Sequence, residues 1–369
     1  YDNLRLFDTP GYGSLESYHE EVLKEFIPES DFIVYTVSYK AGFGEYDFQF
    51  LKYVGEVINS DVEIMLAITM CPEDISEDNK RIIEIKEKEG VEIRAIYNAF
   101  VNSSNNRAIK KKHIKEIRER GIEIVEFDPL KFPWINHVFH RDHRKIVIID
   151  GKIGYTGGMN IADYYITGLP EIGEWRDMHV RINGKATEYL QDIFLDMWNK
   201  TTKQAIGGSA YYPFQNDSIH KHLNKEIAIV DRYPKRTPEI MRRTYAKAIE
   251  SAEEKVQIIN PYFTPTRIIK KAIKTAIKKG VKVEIMIPGK SDIPFTPDAA
   301  LYIANRLRKK GADIYIFNGG FHHSKIMMID STYCTIGSTN LNSRSLRYDY
   351  EINAFIFDEE TTSKLMDIF

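Results

Sequence analysis

The sequence predicts an α/β protein made of two similar units in tandem, preceded by a short α/β segment. Two observations carry this. An H-x-K-x4-D-x6-G-[GS]-x-N pattern runs through His143, Lys145, Asp150, Gly157, Gly158 and Asn160, and again through His323, Lys325, Asp330, Gly337, Ser338 and Asn340, with every matched pair 180 positions apart. Around each copy apolar strands alternate with amphipathic helices, and the helix-ending glycines Gly90 and Gly280, like Gly121 and Gly311, lie 190 positions apart. Whole units are therefore duplicated, and strand-helix-strand order repeated in this way implies parallel strands covered by helices.

Composition sets outer bounds. A chain of 369 residues with 43% apolar content is long enough to bury more than one core. A formal net charge of -2 argues against gripping nucleic acid through a net basic field. Cys71 and Cys334 are too few for a disulfide framework, so both read as small buried hydrophobes in a reducing compartment. No apolar run approaches the ~20 residues of a membrane span. The chain starts at Tyr1 with a strand already under way, which leaves room for an upstream segment, including a membrane anchor.

Taken in order, residues 1–60 begin with strand Leu4 to Phe7, which runs into Asp8-Thr9-Pro10-Gly11. Helical spacing follows from Glu20 to Phe26, then a strand from Asp31 to Val37. Residues 61–200 form the first unit: strand Val62 to Thr69, helix Asn79 to Glu89, strand Val91 to Tyr97, helix Ala108 to Arg120 and strand Ile122 to Phe127. Residues 201–225, polar and rich in Gly and Ser, read as a linker. The second unit, 226–369, repeats the order with strand Val256 to Phe263, a helix from Thr264 to Lys279, strand Val281 to Ile287, helix Pro297 to Lys310 and strand Ala312 to Phe317. Thr264 is the expected N-cap of its helix, with Pro265 at the first helical position and Gly280 past the end. Ile269, Ala272, Ile273, Ala276 and Ile277 give that helix an apolar face. Its lysine-rich arc reads first as solvated, with contact to anionic lipid as the alternative. The difference between offsets of 190 and 180 places ten extra residues before the first motif, at Leu130 to Phe139, as a lid, a lipid-facing loop or an ordinary surface loop.

The duplicated motif carries the chemistry. Lys145 to Ile149 and Lys325 to Ile329 are nearly continuous apolar runs, as expected of strands covered on both faces. Side chains alternate along a strand, so H-x-K places an imidazole and an ammonium on one face. That pair suits a phosphate: lysine brings fixed charge and donors, while imidazole can attack phosphorus or shuttle a proton. Asn160 and Asn340 add neutral donors, and two such sets facing each other provide one nucleophile and one acid. His137, His140 and His143 are spaced by threes, which gives no metal-binding geometry and no fourth ligand, so no metal is expected.

From Val62 to Phe369 the chain resembles the phospholipase D superfamily and, within it, the bacterial cardiolipin synthase family. The likeness rests on the paired motifs, Tyr155 to Asp163, Trp175-Arg176-Asp177, Asn260 to Pro265 and Gly337 to Ser345. The resemblance implies two tandem phospholipase D-like α/β/α domains with pseudo-twofold symmetry and a phosphohistidine route without cofactor. His143 would be the nucleophile and His323 the acid and base, or the reverse. Lys145, Lys325, Asn160 and Asn340 would stabilise the phosphorane, and Asp177 and Glu351 would each orient the histidine of the opposite half. Asp150 and Asp330 would hold strands and loops. The implied reaction joins two phosphatidylglycerols into cardiolipin and releases glycerol at a bacterial cell membrane, the protein being peripheral or anchored through a missing segment, with no nucleic-acid partner. The alternatives are a hydrolytic phospholipase D, phosphodiesterase or nuclease, and a non-catalytic membrane-associated scaffold. The scaffold arises because Asp8-Thr9-Pro10-Gly11 resembles the second phosphate-sensing motif of dynamin-like GTPases. The chain has no G-x-x-x-x-G-K-[ST] cradle, so residues 1–60 read as a truncated GTPase-like fragment or a plain turn, not as an active GTPase.

Overall fold

The computed structural model describes residues 32–38, 63–69, 91–98, 111–129, 140–162, 164–213, 225–293 and 295–369. Asp8 to Gly11, the helices expected at Glu20 to Phe26 and Asn79 to Glu89, Cys71, His137 and the insertion at 130–139 lie outside these residues. The chain divides into two compact units, Tyr1–Lys88 and Glu89–Phe369. In the first, β1 (Phe32–Ser38) pairs in parallel with β2 (Glu63–Thr69), Phe32 opposite Glu63. The second unit carries both motifs.

That unit opens with β3 (Arg94–Asn98), α1 (Lys111–Glu119) and β4 (Glu123–Phe127), the two strands parallel. Next come β5 (Ile146–Ile149), β6 (Ile153–Gly157), the single turn α2 (Tyr164–Thr167), β7 (Trp175–Arg176), β8 (His179–Asn183) and α3 (Ala186–Thr202). Strands β5, β6 and β8 form an antiparallel sheet. The helix α3 runs on to Thr202, and a 3-10 turn follows at Ser209–Tyr211 before the next strand starts at Glu226.

The later half supplies β9 (Glu226–Arg232), α4 (Ile240–Ser251), β10 (Lys255–Ile259), α5 (Arg267–Lys278), β11 (Lys282–Pro288), α6 (Thr296–Arg308), β12 (Asp313–Phe317), β13 (Phe321–His322), β14 (Ile326–Ile329), β15 (Tyr333–Gly337), α7 (Ser343–Arg347), β16 (Glu351–Phe357) and α8 (Glu359–Met366). Seven strands make one sheet in the order β12-β11-β10-β14-β15-β16-β9. The expected parallel order holds for β10, β11 and β12, which are joined through helices. It fails for β14, β15, β16 and β9, which are antiparallel, because a tight turn rather than a crossover helix links β14 to β15. One face of the sheet packs on α4, α5 and α6 through Ile258, Ile285 and Ile273. The other packs through Met328, Ile336 and Ile352 on residues of β8 and α3, including Ile182 and Leu190.

Two further expectations are corrected. The helix placed at Thr264 starts at Arg267, with Thr266 in extended backbone (φ -64°, ψ 166°) as its N-cap, while the Thr264 N–H donates to the carbonyls of Tyr262 and Leu341. Its other end is as expected: Gly280 takes φ +91°, the Val281 N–H reaches the Ala276 carbonyl and the Gly280 N–H that of Ile277. The buried face is Ile269, Ala272, Ile273 and Ala276. Strand β14 is buried throughout, but β5 alternates, leaving Val147 and Ile149 exposed, since among the described residues the first half places helix α3 on one side only.

The two motif strands end alike. Asp150 and Asp330 follow β5 and β14 with φ of 52° and 49°, a left-handed turn that aspartate tolerates, and the turns close through Lys152 to Ile149 and Thr332 to Ile329, each 2.9 Å. The Asp330 carboxylate also accepts the N–H groups of Glu253, Glu254 and Lys255, clamping β14 to the start of β10. We expect Asp330→Ala to lower stability by about 1–3 kcal/mol, read as a lower urea midpoint; an unchanged midpoint would refute the clamp.

Candidate active site

Two short backbone ladders cross between the halves. Strand β13 pairs in parallel with β7, Phe321 opposite Trp175, and the His323 N–H donates to the Arg176 carbonyl at 2.6 Å. Symmetrically, Asp142 bridges Tyr350 in parallel and the His143 N–H donates to the Tyr350 carbonyl at 3.0 Å. Each histidine is thus mounted beside the residue that precedes a carboxylate of the other half.

The side chains follow from this mounting. His323 Nδ1 lies 2.6 Å from Asp177 Oδ2. His143 Nδ1 lies 3.1 Å from Glu351 Oε2 and 3.0 Å from Oε1. Both carboxylates are buried, 1% and 0% exposed, so their charge must be matched locally. Each motif lysine folds back onto its own histidine: Lys145 Nζ donates to the His143 carbonyl at 2.6 Å, and Lys325 Nζ donates to the His323 carbonyl and lies 2.8 Å from His323 Nδ1. These residues leave β5 and β14 to begin one position later, at Ile146 and Ile326. Asn340 is buried with Oδ1 unpaired, as is Ser324 Oγ, whereas Asn160 is exposed and donates Nδ2–H to the Tyr165 hydroxyl at 3.1 Å. Asp150 and Asp330 stay in the turns described above. His140 Nδ1 meets the Tyr348 carbonyl, and no cluster of three or more His, Cys, Asp or Glu able to hold a metal occurs among the described residues.

The charges form one cluster. Burial lowers the affinity of Lys145 for its proton, against the pull of Glu351 and Asp177. Burial likewise brings Lys325 down to about 7, with Asp177 opposing and Lys145 assisting, so the two lysines feel each other across the halves. Burial alone would raise the pKa of Asp177, but Lys325 and His323 hold it below the usual range. For Glu351 burial is likewise outweighed, by His143, Lys145 and the Ser338 hydroxyl. His323 is pushed down to about 3, by burial first and the Lys325 ammonium second, so its ring rests neutral. With the Nδ1 proton held by an ionised carboxylate, Nε2 keeps its lone pair.

Tyr165 and Phe321 were not singled out from the sequence, whereas Trp175 and Tyr262 lie in stretches that carried the resemblance. Tyr165, Trp175, Tyr262 and Phe321 wall in the His323 ring, with centroids 5.4–6.0 Å away. A cavity of about 290 Å³ beside it is lined by Tyr165, Asp177 and Ser324, among others. The second position of G-[GS] also acquires a reason. A Cβ at Gly158 would overlap the Asp177 carboxylate, while Ser338 in the other half donates its hydroxyl to Glu351. The available signal was the differing residue at otherwise matched positions.

Three histidines, His322 and His323 buried and His179 half-buried, make stability depend on pH. His179 and His322 are lowered to about 4 and His323 to about 3, in each case chiefly by burial. The unfolded chain takes up these protons near pH 6.5, the folded chain only far lower, so stability present above about 6.5 is lost as pH falls. The urea midpoint should drop between pH 7 and 5; a midpoint constant over that range would contradict neutral burial.

The family described as "Cardiolipin synthase, PLD-like domain" matches residues 57–198 and 245–369. The cardiolipin synthase of Listeria monocytogenes is 35% identical over 292 residues, covering 78% of this chain and 59% of that protein. Cardiolipin synthase 2 of Staphylococcus epidermidis is 37% identical over 290 residues, covering 78% and 58%. The chain thus spans under two thirds of the length of these relatives. The phosphatidylserine synthase of Haemophilus influenzae shares the fold, with a TM-score of 0.58 at 13% identity over 95% of this chain and 83% of that one. With two matched stretches and a duplicated motif converging on one site, the chain belongs to the cardiolipin synthase, PLD-like domain family of the phospholipase D superfamily.

Proposed function

We propose that the protein is a phosphatidyltransferase that joins two phosphatidylglycerols into cardiolipin and releases glycerol. The observation that carries this is the pair of histidines, each with Nδ1 against a buried carboxylate of the opposite half, inside a cluster holding two lysines. In the first step His143 Nε2 attacks phosphorus, an N–P bond forms, the P–O bond to glycerol breaks and His323 gives its proton to the departing oxygen. In the second, His323 takes a proton from the headgroup hydroxyl of another phosphatidylglycerol. That oxygen attacks phosphorus and the N–P bond breaks, leaving both histidines as they began. His323 rests neutral, chiefly through burial and then through the Lys325 charge, so it must take up a proton before it can act as the acid of the first step. Lys145, Lys325, Asn160 and Asn340 offer donors to the oxygens that gain charge. Asp177 and Glu351 fix the ring tautomers, and Asp150 and Asp330 hold the strand ends.

A lipid substrate and a membrane surface are supported by the apolar rim of the cavity. Met159 and Ile368 line it while 41% and 51% exposed. Ile161 and Ile166, on the segment that carries Tyr165, are fully and half exposed. Phe295, 72% exposed, lies on the loop tied to Tyr262 through Asp292. Such groups beside a phosphate site suit insertion among acyl chains. No helix among the described residues is long and apolar enough to cross a membrane.

With phosphatidylglycerol vesicles the protein should yield cardiolipin and glycerol. His143→Ala and His323→Ala should each reduce turnover by at least about 10³-fold. Phosphatidic acid without cardiolipin would make the enzyme a hydrolase, and full activity in either variant would remove that histidine from the mechanism.

A further inference from the structure

We propose that Tyr165 is a further catalytic residue, whose phenolic O–H donates to a nonbridging oxygen of the phosphoryl group beside the amide of Asn160. The proposal rests on the phosphodiester reading above. Tyr165 Oη accepts the Asn160 Nδ2–H at 3.1 Å and lies 3.2 Å from His323 Nδ1. Three groups therefore crowd that ring nitrogen: Asp177 at 2.6 Å, Lys325 at 2.8 Å and Tyr165 at 3.2 Å. An imidazole nitrogen makes one in-plane hydrogen bond. The ionised carboxylate is nearest and accepts a hydrogen bond from Nδ1–H, so Nδ1 has no lone pair left for the phenol. The phenolic hydrogen is then available to a third partner, and the ring lines the cavity that also meets Asp177 and Ser324.

The ring is held for that purpose. It stacks on Tyr164 at 5.0 Å and tilts against Trp175 at 5.4 Å, so the hydroxyl is fixed before substrate arrives. Burial first, then the charge of Asp177, raises its pKa, which keeps it a neutral donor throughout the working range. Tyr165 follows the first motif, five residues beyond Asn160, yet its hydroxyl meets the histidine of the second motif. It therefore adds a donor from one half at the histidine of the other.

Tyr165→Phe keeps the ring and removes only the hydroxyl. With the soluble diester bis(p-nitrophenyl) phosphate, kcat should fall about 10²-fold with little change in KM. The pH profile should keep its shape, and the thermal midpoint should stay at the wild-type value. Orthovanadate, as a phosphoryl probe, should bind about tenfold more weakly by calorimetry. Wild-type kcat together with wild-type vanadate affinity would overturn the proposal. A loss of kcat with a displaced pH limb would overturn it as well, because the hydroxyl would then act by positioning His323. If the wild-type protein cleaves no phosphodiester, the functional reading fails, and the vanadate comparison still decides the role of Tyr165.

Discussion

The site depends on a crossed arrangement: the ring of each motif histidine is held by a carboxylate that belongs to the other half. Asp177 and Glu351 cannot reach those rings unless β13 lies along β7 and Asp142 lies along Tyr350. Those ladders are only two residues and one residue long, so they owe their register to the cores on either side of the large sheet. Neither half carries a complete site by itself.

Burial gives the arrangement its chemistry. Two carboxylates at 0–1% exposure would be costly as lone ions, and the lysines beside them would lose protons if they stood alone. Together the neighbouring cations keep both carboxylates below the usual range, while burial lowers both lysines, Lys325 to about 7. The His323 ring, walled by four aromatic residues, remains neutral even against a carboxylate. His143, at 25% side-chain exposure, is the more open of the two. The two motifs thus share their turn and cross-half mounting but differ in environment.

The parts of this site that were legible in the sequence are local ones. The duplicated H-x-K-x4-D fixes which residues lie together along one strand end, and apolar spacing fixes the buried face of α5. Asp177 and Glu351 entered only through family resemblance, since 146 and 208 positions separate them from the histidines they meet. Tyr165 was missed for the same reason, its hydroxyl lying beside His323, 158 positions away. The start at Thr264 differs for another reason: the extended backbone continues through Thr266, which caps the helix two residues later, while the Thr264 N–H bonds to Leu341 in the loop after the second motif. Likewise, strand-helix-strand order does not reveal that the motif strands continue as an antiparallel meander.

The crossing can be observed directly by NMR of the imidazole N–H protons. A ring Nδ1–H bonded to a carboxylate gives a strongly downfield resonance, and the protein should show one from each motif histidine. Asp177→Asn should abolish the His323 signal and spare that of His143, and Glu351→Gln should do the reverse. If each substitution instead removes the signal of the histidine in its own half, the crossed arrangement is wrong.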